Sequence, residues 1–205
     1  MSAEATEFIR RALADGAELR RRSAEALAQP LARAAEALAA RLAAGGVVFF
    51  FGNGGSASQA QHFAAELTGR FKLERAGLAA LALGANASEL TGIANDYGYA
   101  ESFERPLAAL VRPTDAAVGL SGSGGSANVA RALSAARARG ALTVAFTGAA
   151  RGERGGPVGE AAEIALVVPS RQIAEVQEIH LALGHILCEL LENRLARPGG
   201  AGPQA

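Results

Sequence analysis

His62 and Glu66 stand four apart in SASQAQHFAAELTGR, the spacing that puts two side chains on one helix face, one turn apart. An imidazole and a carboxylate so related can bind a divalent metal or move a proton. In isolation the default for such a pair is a capped histidine beside a surface glutamate. A second stretch, VQEIHLALGHIL, changes that balance. Gln177 and His185 are separated there by roughly 80° around a helix axis, so both lean toward one site. His180 is about 140° from His185 and reads as structural. Two His, one Glu and one Gln make a nitrogen and oxygen shell that suits zinc or a similar divalent ion, with Gln an unusual ligand. Spacing alone is a weak indication of the metal.

Two glycine- and serine-rich loops add a different chemistry. The first, GNGGSA, follows the apolar run VVFFF and opens the stretch that carries His62. The second, LSGSGGSAN from Leu120 to Asn128, again follows an apolar run. Glycine lets a backbone turn its N–H groups toward an anion, and the following helix adds its partial positive N-terminus. Gly52, Gly54 and Gly55 supply the first turn and Ser56 a hydroxyl; Ser121, Ser123 and Ser126 can converge on one anion in the second, with Gly122, Gly124 and Gly125 between them. No Lys-Ser/Thr pair follows either loop, so neither is a Walker cradle. The first grazes a dinucleotide fingerprint, but the next strand ends in Gly84-Ala85-Asn86, without the acidic residue that would hold a ribose. Serine-rich loops without lysine suit a phosphomonoester held by neutral donors. Each could also be a tight strand-to-helix turn; the presence of two argues for a phosphorylated ligand.

The elements that position these residues read as follows. Residues 1–45 form a helical extension with Leu19, Leu27, Leu31, Leu38 and Leu42 recurring among Ala and Arg; Pro30 marks a kink or a boundary between helices. Apolar runs at Val47–Phe51, Leu78–Leu83, Ala116–Leu120, Leu142–Phe146 and Ile164–Val168 are strands. Helices at Ser58–Arg70, Tyr99–Val111 and Ser126–Arg139 separate most of them, and Gln172–Arg194 is a long last helix. Short apolar strands alternating with helices imply an α/β domain over residues 46–195, a parallel sheet covered on both faces. AARGERGGPVGE, Ala149–Glu160, reads as a surface loop without a core, and residues 196–205 as a disordered tail.

Composition bounds the rest. The 205 residues are enough for one such domain with its extension. Half are hydrophobic, many of them Ala, and 5% are aromatic, which favours a helix-rich oligomer. Formal net charge is zero; Arg20, Arg21 and Arg22 form the one basic block, a solvated helix face rather than a grip on nucleic acid. Cys188 is the single cysteine, so disulfides within the chain and multi-thiolate zinc sites are excluded, and it reads as a core residue. The charged N-terminus has no apolar signal core and no stretch reads as a membrane span; a cytoplasmic location is expected.

GNGGSASQAQHFAAELTGRF, IANDYGY, LSGSGGSAN and VQEIHLALGHIL together resemble the sugar isomerase (SIS) domain family, and within it the isomerases acting on sedoheptulose 7-phosphate. The resemblance covers nearly the whole chain to Arg194. It implies a five-stranded parallel sheet in a flavodoxin-like three-layer arrangement, and a homotetramer with active sites between subunits. It further implies a zinc ion on His62, Glu66, Gln177 and His185, with Glu66 and His185 as base and acid. The phosphate-binding serines match Ser56, Ser121, Ser123 and Ser126, and Asn53, Gly54, Gly55, Arg70, Asn95, Asp96, Gly122 and Gln177 fall at positions that line the sugar or its phosphate. Two positions depart from the family: a usual threonine is Gly122, and a usual aspartate is Ala174. The implied activity is an aldose–ketose isomerisation of sedoheptulose 7-phosphate through an enediol, the first step toward nucleotide-activated heptose. A rival is a non-catalytic relative that binds DnaA as a replication initiation factor, which PSRQIAEVQEIH resembles somewhat more. That relative lacks the glutamate and histidine found here as Glu66 and His185, which favours the enzyme.

Overall fold

The computed structural model describes residues 3–196. Beyond residue 196 the expected disordered tail lies outside the described residues. Five strands, β1 (Val48–Gly52), β2 (Ala80–Ala82), β3 (Ala116–Ser121), β4 (Leu142–Gly148) and β5 (Ile164–Val168), form one parallel sheet in the order β2-β1-β3-β4-β5. Each expected strand is present, and the parallel sheet is flanked by helices on both faces.

The sheet divides the core because successive strand residues point to opposite faces. Phe50, Val118, Val144 and Phe146 pack with α1 (Ala3–Ala43), α2 (Gly55–Thr68) and α7 (Ile173–Leu195). Phe49, Phe51, Ala117 and Ala145 face the other way, toward α4 (Glu104–Leu110), α5 (Ala127–Ala138) and α6 (Gly156–Ala161). Strands buried on both sides explain runs such as VVFFF, which show no polar alternation.

Three expectations need correction. Of the two readings of Pro30, the helix boundary is not found: α1 runs unbroken for 41 residues with Pro30 inside it. A proline there costs roughly 3 kcal/mol, but Leu27, Leu31, Ala34, Ala35 and Leu38 on either side are buried. Each large apolar side chain so buried contributes about 1.5–3 kcal/mol, enough to keep the helix continuous. A further helix, α3 (Ala87–Tyr97), follows β2; Asn86 caps it by accepting from the N–H groups of Ser88 and Glu89. The helix expected over Tyr99–Val111 splits into a 3₁₀ turn at Tyr99–Glu101 and α4.

The third concerns Ala149–Glu160, which is a surface excursion only in its first half, where residues 150–154 are exposed. It contains a 3₁₀ turn at Ala149–Arg151 and most of α6, whose Val158 is fully buried in the second core.

Candidate active site

The register of the sheet sets the two glycine-rich loops side by side. Gly52 at the end of β1 pairs with Leu120 near the end of β3, so residues 53–55 and 122–126 leave neighbouring strands at their carboxyl ends. β1 lies between β2 and β3, the point where strand order reverses and where open parallel sheets hold ligands. Gly54 and Gly124 take the turns with φ of 55° and 69°, a region open to glycine at little cost.

Side-chain amides tie the loops together. Asn53 Nδ2 donates to Asn128 Oδ1 at 2.9 Å, and Asn128 Nδ2 donates back to Asn53 Oδ1 at 3.0 Å. The Tyr99 hydroxyl donates to Asn53 Oδ1 at 2.8 Å, and Asn128 Nδ2 also reaches Ser102 Oγ at 3.0 Å. Ser121 and Ser126 converge, their hydroxyls 2.8 Å apart, while Ser123 Oγ accepts from the Gly125 N–H at 3.3 Å within its own loop. Ser126 is the N-cap of α5 but makes no side-chain cap. In the first loop Ser56 is buried, and Gln177 Nε2 donates to its hydroxyl at 3.4 Å. Gln177 also lies against Gly55, where an added Cβ would sit 2.9 Å from the amide nitrogen.

α2 and α7 bring the titratable groups together. His62 Nε2 lies 2.8 Å from His185 Nε2 and 3.5 Å from Glu66 Oε1. One ligand atom from each of the three lies within 4.8 Å of the others. Which Nε2 donates in the His–His contact depends on the tautomer. This approach requires Gly184: a Cβ there would overlap the ring of Phe63, so only glycine lets α7 settle onto α2 beside His62. Two imidazole nitrogens and a carboxylate oxygen, partly exposed, are donor types that zinc takes with a position left open. Gln177, the fourth residue of the expected set, directs its amide to Ser56.

A buried ion pair holds this geometry. Arg75 Nε meets Glu192 Oε1 at 3.0 Å, with side chains 4% and 1% exposed. Arg75 donates to the carbonyls of Glu66 and Leu67, each at 2.9 Å, at the end of α2. Glu192, on α7, accepts from the N–H groups of Phe71, Lys72 and Leu73 at 3.0, 2.8 and 3.0 Å. Burial pushes the Glu192 carboxyl up, yet these N–H groups and Arg75 together hold it below the usual carboxylate value. The fixed segment lays Phe71 on His185, ring centroids 5.5 Å apart and planes 19° apart.

The remaining expected residues fall as follows. Arg70 pairs with Glu74 at 3.7 Å, and Asn95 donates to Asp96 at 2.9 Å; all three expected residues are exposed. At Gly122 a Cβ would lie 3.0 Å from Ile173 Cγ2, so Ile173 occupies space that a larger residue there would need. His180 is fully buried with Nε2 3.3 Å from the Thr147 carbonyl, and desolvation lowers its pKa to about 4 despite that bond. Cys188 is buried, and that burial pushes its thiol up to about 12, as fits a core residue. Asn128, Tyr99 and Phe71 lie inside the motif stretches without having been singled out. Arg75 and Glu192 carry no local signal, because their partnership spans 117 residues.

The SIS domain family matches residues 13–148. The phosphoheptose isomerase of Aquifex aeolicus is 45% identical over 186 residues, covering 91% of this chain and 95% of that protein. The structure of a phosphoheptose isomerase from Neisseria gonorrhoeae superposes with a TM-score of 0.84 at 37% identity, covering 92% and 98% of the two chains. One from Francisella tularensis gives a TM-score of 0.86 at 32% identity, covering 94% and 100%.

Proposed function

The chain belongs to the SIS domain family, in its phosphoheptose isomerase branch, and from that premise we propose that it isomerises sedoheptulose 7-phosphate to an aldose heptose 7-phosphate. The observation that carries this reading is the meeting of His62, Glu66 and His185 on two helices, α2 springing directly from the first of two paired anion loops. An aldose–ketose isomerase needs a carboxylate near the substrate carbon and a proton donor near its oxygen. With the phosphate anchored by Ser56, Ser121, Ser123, Ser126 and the backbone of Gly54, Gly55 and Gly122, the opened chain extends toward Glu66 and His185. Glu66 removes the C1 proton, the electron pair forms the C1–C2 double bond, and the C2 oxygen takes a proton from His185. Return of a proton to C2, with loss of the proton on the C1 oxygen, leaves the aldehyde at C1.

His62, Glu66 and His185, with Gln177, would hold zinc; when bound, it supplies electrophilic stabilisation of negative charge on the substrate oxygens or orders the four side chains. A homotetramer is part of the proposal. An apolar groove of about 290 Å³ between α1 and α7, lined by Leu27, Leu31, Ile179, Leu183, Ile186 and Leu190, supports it, as do the exposed Phe8 and Leu13. Arg70, Asn95 and Asp96, which face solvent here, would then serve a site shared between subunits. A cytoplasmic location completes the proposal; no described helix is long and apolar enough to cross a membrane. The DnaA-binding reading is not favoured, since the relatives are named as isomerases and both Glu66 and His185 are in place.

The test is incubation of purified protein with sedoheptulose 7-phosphate and detection of the aldose. Absence of conversion by zinc-loaded wild-type protein would refute the assignment.

A further inference from the structure

The segment after β4 is fastened to the second anion loop. Thr147 Oγ1 donates to the Gly155 carbonyl at 3.0 Å, and the Val158 N–H donates to the Gly124 carbonyl at 3.1 Å. Gly156 closes the seam, where a Cβ would lie 3.0 Å from the Gly124 carbonyl oxygen. Arg151 lies along this seam. The same Cβ on Gly156 would lie 2.8 Å from Arg151 Cβ, and one on Gly125 would lie 2.9 Å from Arg151 Cζ and 3.0 Å from Nη2. The stem of Arg151 therefore crosses Gly156, and its guanidinium rests against Gly125, the residue before Ser126. Among the described residues that guanidinium makes no hydrogen bond or ion pair, although Arg offers five donors.

The loop it touches is otherwise neutral. Ser121, Ser123 and Ser126 offer hydroxyls and backbone N–H groups, whereas a phosphomonoester carries roughly −1.5 to −2 charges near neutral pH. A guanidinium is matched to phosphate oxygens in charge and in fork geometry. We propose that Arg151 is the cationic ligand of the substrate phosphate at the second loop, delivered there by the docked segment 149–156. The proposal rests on the reading of the chain as a sugar-phosphate isomerase and adds a charged group to a cradle built of neutral ones. Arg151 is exposed, so its contribution is moderate and sensitive to salt.

The test compares wild type, Arg151→Ala and Arg151→Lys. Calorimetric titration with inorganic phosphate and steady-state kinetics with sedoheptulose 7-phosphate give two independent readouts. In Arg151→Ala the dissociation constant for phosphate and the KM should each rise about five- to tenfold, with kcat falling less. Arg151→Lys should recover part of the loss, and the gap between wild type and Arg151→Ala should shrink at high ionic strength. Unchanged phosphate affinity in Arg151→Ala overturns the proposal. So does an equal weakening toward unphosphorylated sedoheptulose, or a fall in Tm that accounts for the change, either of which would make Arg151 a packing residue. If wild type binds phosphate but does not turn over sedoheptulose 7-phosphate, the isomerase reading fails and the calorimetric comparison still decides the role of Arg151.

Discussion

The contact between His62 and His185 joins side chains 123 positions apart and is where the chemistry concentrates. If these residues hold zinc, elemental analysis of the metal-replete protein should show about one ion per subunit, and the double variant His62→Ala/His185→Ala should lose it. Retention of stoichiometric metal in that variant would put the ion elsewhere. His180, on the same helix, makes a separate prediction. Its folded pKa is lowered to about 4 by desolvation, so the unfolded chain binds its proton first as pH falls below about 6.5. Stability should therefore drop by about 2 kcal/mol between pH 7.5 and pH 5 from this residue alone. A His180→Gln variant should show a shallower decline of Tm with acidification; an unchanged slope would remove His180 as its source. Of these residues the His62–Glu66 pair was legible from helix periodicity. Angular reasoning paired His185 with Gln177 on the last helix, and family resemblance alone set it beside His62 and Glu66. Arg151 was not legible, because its meaning depends on which loop its own loop docks against.

At the level of elements, the Arg75–Glu192 pair locks the end of α2 to α7 and so sets the distance between the helices that carry the histidines. Removing one partner leaves the other charged and buried, which typically costs about 3–5 kcal/mol. Glu192→Ala should lower Tm strongly and also release Phe71 from His185, whereas Arg75→Met/Glu192→Leu should be clearly more stable than the single variant. Equal Tm for the single and double variants would show that burial of an unpaired charge is not the cause. The elements read most easily from sequence were the strands, whose apolar runs need no partner to be recognised. α3 carried a readable signal in Asn86 followed by Glu89, a cap with an acidic residue in the first turn. α6 carried none: Gly156 and Gly159 disfavour a helix, and the segment is held by Val158 in the core and by its bond to Gly124.

For the whole molecule, the order β2-β1-β3-β4-β5 gathers both anion loops at the carboxyl ends of the interior strands β1 and β3, and α1, α2 and α7 cover one face of the sheet. The parallel, doubly covered sheet was evident from the alternation of apolar runs and helical stretches. Strand order was not, since only pairing across the chain fixes it. As proposed, this scaffold joins a phosphate anchor to a Glu66–His185 acid–base pair for isomerisation of sedoheptulose 7-phosphate. The most direct test of that chemistry is the rate of aldose formation by wild type and by Glu66→Gln, with circular dichroism and size-exclusion profiles matched between them. Turnover by wild type and a loss on the order of 10²–10⁴-fold in the variant are expected; a wild type without turnover, or a folded Glu66→Gln at near-wild-type rate, would rule out this chemistry.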